Sequence, residues 1–443
     1  MSHAPLLAET VLDETGKEAI RPVLRPLDMQ TTNVVDVVAA RAQATQVSVR
    51  PKLRSEAVEN AKELAAQLAV ARAGFDDWVD GFKARARSQG IADSTLDAAF
   101  RGVQFDEEII RLDRNQSEFT KTIWEYLASA VSDRRLANGK SALSKHLETL
   151  TAIESRYGVE KEVVVAVWGL ETGYGGYRGS SNIIQSMATL AYEGRRGAFF
   201  EEQLIAALKI LQNGDTSPRN MTGSWAGAMG HTQFMPTSYL SNAVDFNGDG
   251  RRDIWSEDPT DALASTAAYL QNAGWKTGQP WGVEVRLPDG FDYALADRAV
   301  RKIPGAWARL GVRDMNGNTV PNHGRASILV PAGSKGAAFM IFANFRALER
   351  YNPADAYVIG VGHLSDRIKG GPPIRGGWPT GDRALSRSER KELQQRLTQA
   401  GFDTQGIDGR VGPNTTKAIR SYQKERGLVA DGYASVDLLK TLR

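Results

Sequence analysis

In the run VVVAVWGLETGYGG, residues 163–176, one acid, Glu171, closes an apolar stretch directly ahead of three glycines. A helix over 161–172 would put Val163, Val167 and Leu170 on one apolar stripe, with Glu171 beside it. Desolvation penalises the carboxylate anion, and the negative end of the helix dipole adds to that penalty, so both push the pKa upward. Each unit gained corresponds to about 1.4 kcal/mol in favour of the protonated form. A carboxylic acid kept neutral near neutral pH can protonate a leaving oxygen. Gly173, Gly175 and Gly176 would let a bulky ligand approach the backbone. The plainer reading is a helix-end acid satisfied by a nearby arginine.

A second stretch, GSWAGAMGHTQFMPTSYL at 223–240, has the composition of a groove wall. Ser224 and Gln233 offer paired donors and acceptors, and Trp225 and Tyr239 offer stacking faces. Sugars, with flat apolar faces and equatorial hydroxyls, need that combination. A glycine-rich turn around a core Phe-Met-Pro accounts for part of the pattern, but not for the polar pair. A third stretch, DFNGDGRRDIWS at 245–256, has the look of a calcium loop. Asp245, Asn247 and Asp249 stand at positions 1, 3 and 5, Gly250 at the sharp turn, Arg251 at position 7 and Asp253 at position 9. Position 12 is Ser256 instead of a bidentate glutamate; Glu257 and Asp258 follow, so the ligand is expected one or two residues further on, with Asp258 as the candidate. A weakly closed cation site and a plain Asx-rich turn both fit.

The elements that must position these residues are mostly helical. Residues 1–54 lack a sustained period and read as an extended or disordered arm, while from Ser55 an Ala-, Glu-, Leu- and Lys-rich run predicts helix. In ADSTLDAAF, Asp93 or Ser94 is the expected helix cap. Helical patterns continue to about residue 213. A mixed insert at 280–335 contains WGVEVRLP and RASILVP, which read as strands, and the run from Ala337 to Ile368 returns to helix. The Gly- and Pro-rich stretch 370–386 reads as a linker wrapped on a surface. Residues 387–443 then form a small module patterned on Leu393, Leu397, Ile419, Tyr422, Leu428, Leu438 and Leu439, with Asp408 and Asp431 each preceding a glycine in a turn.

Bulk composition narrows the function classes. The chain has 443 residues, long enough for two or three domains. Its 55 basic and 52 acidic residues leave a net charge of +3, too small to argue for nucleic acid. The longest apolar stretches fall far short of the roughly 20 residues a membrane span needs. With no cysteines there is no thiolate chemistry and no cysteine-ligated metal, and the 5 histidines lack zinc-ligand spacing. MSHAPLLAETVLDETG places acids where a secretory signal would be apolar, so either a cytoplasmic or a processed chain is expected.

Read together, FDEEIIRLDRNQSEF (105–119), VVAVWGLETGYG (164–175), GSWAGAMGHTQFMPTSY (223–239), DFNGDGRRDIW (245–255), ALASTAAYLQNAGW (262–275) and YNPADAYVIGVGHLSDRI (351–368) resemble the lytic murein transglycosylases related to membrane-bound lytic transglycosylase B. The resemblance covers about 75–368. It implies a mainly α, lysozyme-like catalytic domain over 55–369, with the small mixed insert. It further implies cleavage of the MurNAc–GlcNAc β-1,4 bond of peptidoglycan without water, leaving 1,6-anhydroMurNAc ends. Carried over, Glu171 matches the family's catalytic acid and base. Ser224, Gln233, Tyr269 and Tyr357 match positions lining its sugar subsites, and Phe199 stands where a tyrosine is often found. The module at 387–443 resembles the small helical peptidoglycan-binding domain. The expected partners are glycan strands and muropeptides, the expected compartment is the bacterial periplasm, no cofactor is required, and a structural Ca2+ is the one candidate ion. A lysozyme-type hydrolase, which usually needs a second acid, and a non-catalytic wall-binding protein are the competing readings.

Overall fold

The computed structural model describes residues 7–12, 18–23, 72–114 and 121–443. Most of the expected N-terminal arm, the start of the helix expected from Ser55, and residues 115–120 of the FDEEIIRLDRNQSEF motif lie outside the described residues. Within the arm, Leu7–Leu12 and Glu18–Val23 pair as antiparallel strands. Among the described residues, no helix is long and apolar enough to cross a membrane.

The centre of the large helical body is the helix Lys161–Thr172, and every residue of it from Val163 to Thr172 is buried. The expected single apolar stripe is therefore too narrow: this helix is covered on all sides, which is why its sequence is apolar all round. Asp355–Ile368, Asp133–Lys145 and Thr260–Asn272 pack around it. A second layer pairs Ile183–Glu193 with Gly197–Gln212. The central helix ends at Gly173, whose φ of 60° lets its N–H reach back to Gly169. Glu171 thus sits in the last turn of a buried helix.

The insert folds as a four-stranded antiparallel sheet in the order Arg313–Asp314, Gly282–Arg286, Ala338–Ile341, Ser327–Leu329. Two of these strands were expected. Ala338–Ile341 was expected to be helical, but it pairs on both edges with Gly282–Arg286 and Ser327–Leu329. A four-residue apolar run carries no period that separates a central strand from a helix start, and the neighbouring strands decide it. The helix expected in that run begins only at Ala343. The cap expected at Asp93 or Ser94 is also displaced: Ala92 occupies the cap position without a side-chain bond, and Asp93 pairs with Arg87 instead.

Residues 370–386 carry no helix or strand. Their backbone is fastened to the insert where Glu284 accepts the Arg375 N–H at 3.0 and 3.1 Å. The module beyond consists of the helices Arg387–Gln399, Pro413–Glu425 and Val436–Leu442 around Leu393, Leu397, Ile419, Tyr422, Leu438 and Leu439. Leu428, expected in that pattern, is exposed instead. The module touches the insert directly, with Arg420 donating to the Ala296 carbonyl at 2.8 Å.

Candidate active site

Glu171 is 3% exposed. The Tyr357 hydroxyl, from the helix Asp355–Ile368, donates to Glu171 Oε1 at 2.7 Å. Tyr357 is itself held from behind. Its ring lies parallel to that of Tyr351, with centroids 6.5 Å apart, and Tyr351 packs edge-on against Tyr269 at 4.9 Å. Phe234 closes the aromatic group against both Tyr269 and Tyr351. The Tyr351 hydroxyl donates to the Thr232 carbonyl at 2.5 Å, and the Tyr269 hydroxyl to the Arg350 carbonyl. Residues distant in sequence are thereby locked around one carboxyl.

The glycine-rich loop supplies two of the expected polar groups. Ser224 is fully buried, and its hydroxyl oxygen accepts the Ala228 N–H at 3.0 Å. Its own hydrogen remains for another acceptor. Gln233 is 1% exposed and holds a φ of +55°, a region a non-glycine residue seldom adopts. Its amide nitrogen donates to Gly230 O at 2.9 Å and Arg178 O at 3.2 Å. Among the described residues, its Oε1 is a buried acceptor without a donor. Such an atom costs free energy unless something else satisfies it.

Two expected residues do not serve as stacking faces. Trp225 is buried in the core, and so is Tyr239, whose hydroxyl donates to the Arg252 carbonyl at 2.5 Å beneath that residue's guanidinium. Large aromatics beside glycines pack inward here, because the body needs them as core. Phe199 is half-buried, edge-on to Phe200. The acidic pairs at 107–108 and 201–202 lie outside this arrangement: Glu108 bonds Arg111 at 2.6 Å, and Glu201 bonds Arg85 at 2.8 Å.

His231 and Asp261 organise the surroundings, and neither was singled out from the sequence. The buried His231 ring accepts the Trp168 indole N–H at Nδ1, 3.2 Å, and its Nε2 faces the Ser256 carbonyl at 2.7 Å. Burial lowers its pKa, so the neutral ring with the proton on Nε2 fits both contacts. Its carbonyl accepts the Thr172 hydroxyl at 2.7 Å, and that hydroxyl in turn accepts the Gly175 N–H at 3.0 Å. A Cβ on Gly175 would stand 2.7 Å from the imidazole. This glycine is needed for the protein's own packing, whereas a ligand's approach was expected. The only available signal was a lone histidine inside a glycine-rich motif.

In the acid-rich loop each carboxylate meets backbone. Asp245 accepts the N–H of Gly248 at 2.7 Å and of Gly250 at 2.8 Å, and Asp249 that of Arg251 at 2.9 Å. Asn247 accepts the Asp249 N–H at 3.0 Å, and Asp253 accepts from Trp255 at 2.8 Å. Asp258 turns away to cap Thr260 at 3.0 Å. The buried Asp261 closes the loop from below, accepting from Phe246 at 2.9 Å and Asp253 at 3.0 Å. Among the described residues, no three acidic or histidine side chains converge as a metal-holding group. The donors are hard oxygens of the kind calcium takes, but as arranged they do not fit around one ion.

A groove of about 2480 Å³ runs between Tyr269 and Arg350 of the helical body, the insert, and Val411, Arg420 and Tyr433 of the module. A smaller cavity of about 630 Å³ lies on the loop that follows Glu171, from Gly175 to Ser180.

Comparison with known proteins shows the family of both parts of the chain. Residues 74–366 match the Transglycosylase SLT domain, and residues 386–442 the putative peptidoglycan binding domain. The chain is 31% identical over 280 residues to membrane-bound lytic murein transglycosylase B of Escherichia coli, spanning 59% of this chain and 74% of that protein. It is similar to SltB3 of Pseudomonas aeruginosa, solved in complex with NAG-anhNAM-pentapeptide: 50% identity, TM-score 0.81, covering 83% of this chain and 99% of that one. The Escherichia coli lytic transglycosylase Slt35, solved in complex with calcium, aligns at 27% identity and TM-score 0.57, over 67% of this chain and 92% of its own. The protein described here belongs to the SLT-domain transglycosylases and is a lytic transglycosylase, an enzyme that acts on peptidoglycan.

Proposed function

We propose that Glu171 is the one acid and base of this reaction. The observation that carries the reading is a carboxyl buried in the last turn of a buried helix, held by the Tyr357 hydroxyl at 2.7 Å. Protonated, Glu171 gives its proton to the oxygen linking MurNAc C1 to GlcNAc as that bond breaks. The MurNAc acetamido group stabilises the cation developing at C1. The carboxylate then takes the proton from the C6 hydroxyl while O6 bonds C1, which closes the 1,6-anhydro ring. No water is consumed, and Glu171 ends protonated as it began. Hydrolytic glycosidases use two carboxylates, whereas here the substrate supplies the second set of atoms.

Around it, Gln233 Oε1 is suited to accept an acetamido N–H, and the remaining Ser224 hydrogen to donate to a sugar oxygen. Tyr269 and Tyr357 present hydroxyl oxygens whose hydrogens are already committed, so toward substrate they act as acceptors. Phe199 offers only its ring. The C-terminal module holds the enzyme on the wall, and the site of action is the bacterial periplasm. For the acid-rich loop to take a cation, Asp245, Asn247, Asp249 and Asp253 would first have to leave the backbone N–H groups they now accept, so any such binding is weak.

Mass spectrometry of digested sacculi tests the central reading. The wild-type chain is expected to release 1,6-anhydro ends. Glu171→Gln, which keeps shape but removes the titrating proton, is expected to release under about 1% as many, since losing a general acid or base costs roughly 10²- to 10⁴-fold. Reducing ends in place of anhydro ends would mean hydrolysis.

A further inference from the structure

The C-terminal module contains the same turn twice. In the first copy Gln394 donates to Asp408 Oδ1 at 2.9 Å and accepts the Gly409 N–H at 2.7 Å, while Arg410 N–H donates to Asp408 Oδ1 at 2.8 Å. In the second, Gln423 donates to Asp431 Oδ1 at 2.8 Å and accepts the Gly432 N–H at 2.8 Å, while Tyr433 N–H donates to Asp431 Oδ1 at 3.0 Å. The two glycines share a φ of 78° and 79°. Both glutamines are buried, and each turn leads into the next helix, Pro413–Glu425 or Val436–Leu442.

The copies differ in what their outward oxygen meets. Asp431 Oδ2 accepts both the backbone N–H of Ser334, at 2.8 Å, and its hydroxyl, at 2.9 Å. That contact fastens the module to the insert. Asp408 Oδ2 accepts nothing among the described residues, and its flank is apolar and open, with Ile407 49% and Val411 40% exposed. Val411 also lines the large groove that reaches Tyr269. The serine on Asp431 therefore displays what this turn is shaped to take: an amide N–H and a hydroxyl on adjacent carbons, both donating to one carboxylate oxygen.

In peptidoglycan, GlcNAc carries that pair, its C2 acetamido N–H next to its C3 hydroxyl. MurNAc does not, because its C3 oxygen is tied up in the lactyl ether. We propose that the Asp408 turn is a carbohydrate site that takes GlcNAc residues of the glycan strand by this pair, with the acetamido methyl against Ile407 and Val411. The assignment rests on the reading of the module as wall-binding and names the sugar it reads.

The test uses the full chain carrying Glu171→Gln, so that binding is measured without turnover, in pelleting assays with sacculi, chitin and cellulose. Asp408→Asn keeps an inward oxygen for Gln394 and Arg410 but turns the outward acceptor into a donor. The expected result is a roughly tenfold loss of affinity for sacculi and for chitin, the scale of a hydrogen bond to a charged group. The melting temperature and the weak retention on cellulose should stay as they were. Unchanged affinity would overturn the Asp408 site, and a loss on sacculi alone would overturn the choice of GlcNAc in favour of the stem peptide. Should the substitution lower the melting temperature, Ile407→Ser, on the exposed flank, carries the same expectation and the same refutation. If the parent chain binds sacculi no better than cellulose, wall binding itself fails and takes this site with it.

Discussion

Two acid-bearing stretches of the chain behave in opposite ways. At the end of Lys161–Thr172 a single carboxyl is buried and meets a tyrosine hydroxyl. In the loop from Asp245 to Asp258 several carboxylates cluster, and their oxygens accept backbone N–H groups. Counting acids would point to the loop. We place the general acid at Glu171 because a general acid must be able to carry a proton: backbone amides can only donate, which favours the anion, whereas a hydroxyl can donate to a carboxylate or accept from a carboxylic acid.

The contact to break first is the one that sets the two regions apart. Tyr357→Phe removes the hydroxyl from Glu171 and keeps the ring that packs on Tyr351. We expect kcat for anhydro-product release to fall roughly tenfold, as for a lost hydrogen bond to a charged or charge-developing group, with the melting temperature nearly unchanged. A fall in stability without a matching fall in kcat would make Tyr357 a packing residue only.

How much of this was legible in the sequence follows from what each residue needs. Glu171 stood out because an acid inside an apolar run is costly wherever it occurs. Trp225 and Tyr239 read as sugar platforms but are core, because an aromatic among glycines looks the same whether it faces a groove or the core. Ala338–Ile341 reads as helix from the sequence because its partners in the sheet are distant in sequence. Asp261 and His231 carry no local signal at all: their roles exist only through Phe246, Asp253, Trp168 and Ser256, brought to them by the fold. The twin turns of the module were visible as two Asp-Gly pairs, but only the fold distinguishes the one fastened to Ser334 from the open one.

His231 sharpens the comparison through pH. Burial is the main cause of its lowered pKa, the Arg178 guanidinium pushes the same way, and the Ser256 carbonyl, Glu257 and Asp253 oppose them. Because the folded value lies below the unfolded one, near 6.5, the unfolded chain binds a proton that the folded chain refuses as pH falls below about 6.5. The stability associated with this histidine is therefore intact above that pH and lost below it. The slope can be at most one proton, about 1.4 kcal/mol per pH unit. Denaturation curves between pH 7.5 and about 5.5 should show stability falling with pH in the wild type and falling less steeply in His231→Gln. Equal slopes would mean that the ring is protonated in the folded protein, and the Trp168 contact would then have to be redrawn.

The smallest effect belongs to the other side of the comparison. For calcium to bind the acid-rich loop, Asp245, Asn247 and Asp249 would have to give up backbone contacts of 2.7 to 3.0 Å, and Asp258, expected as the displaced ligand, is already engaged with Thr260. That competition keeps the site in the weak class, with dissociation constants on the order of 10⁻⁴ to 10⁻³ M. A ligand present at its dissociation constant stabilises by only about 0.4 kcal/mol, so millimolar calcium should raise the melting temperature slightly, by roughly a degree. Asp249→Ala should abolish that rise while leaving turnover of short soluble muropeptides unchanged, because the loop's tie to the body runs through the buried Asp261 and does not need an ion. A wild type indifferent to several millimolar calcium would identify the loop as a self-satisfied turn. A shift of many degrees would mean that the carboxylates leave their amides readily, and that the contrast with Glu171 is one of occupancy rather than of environment.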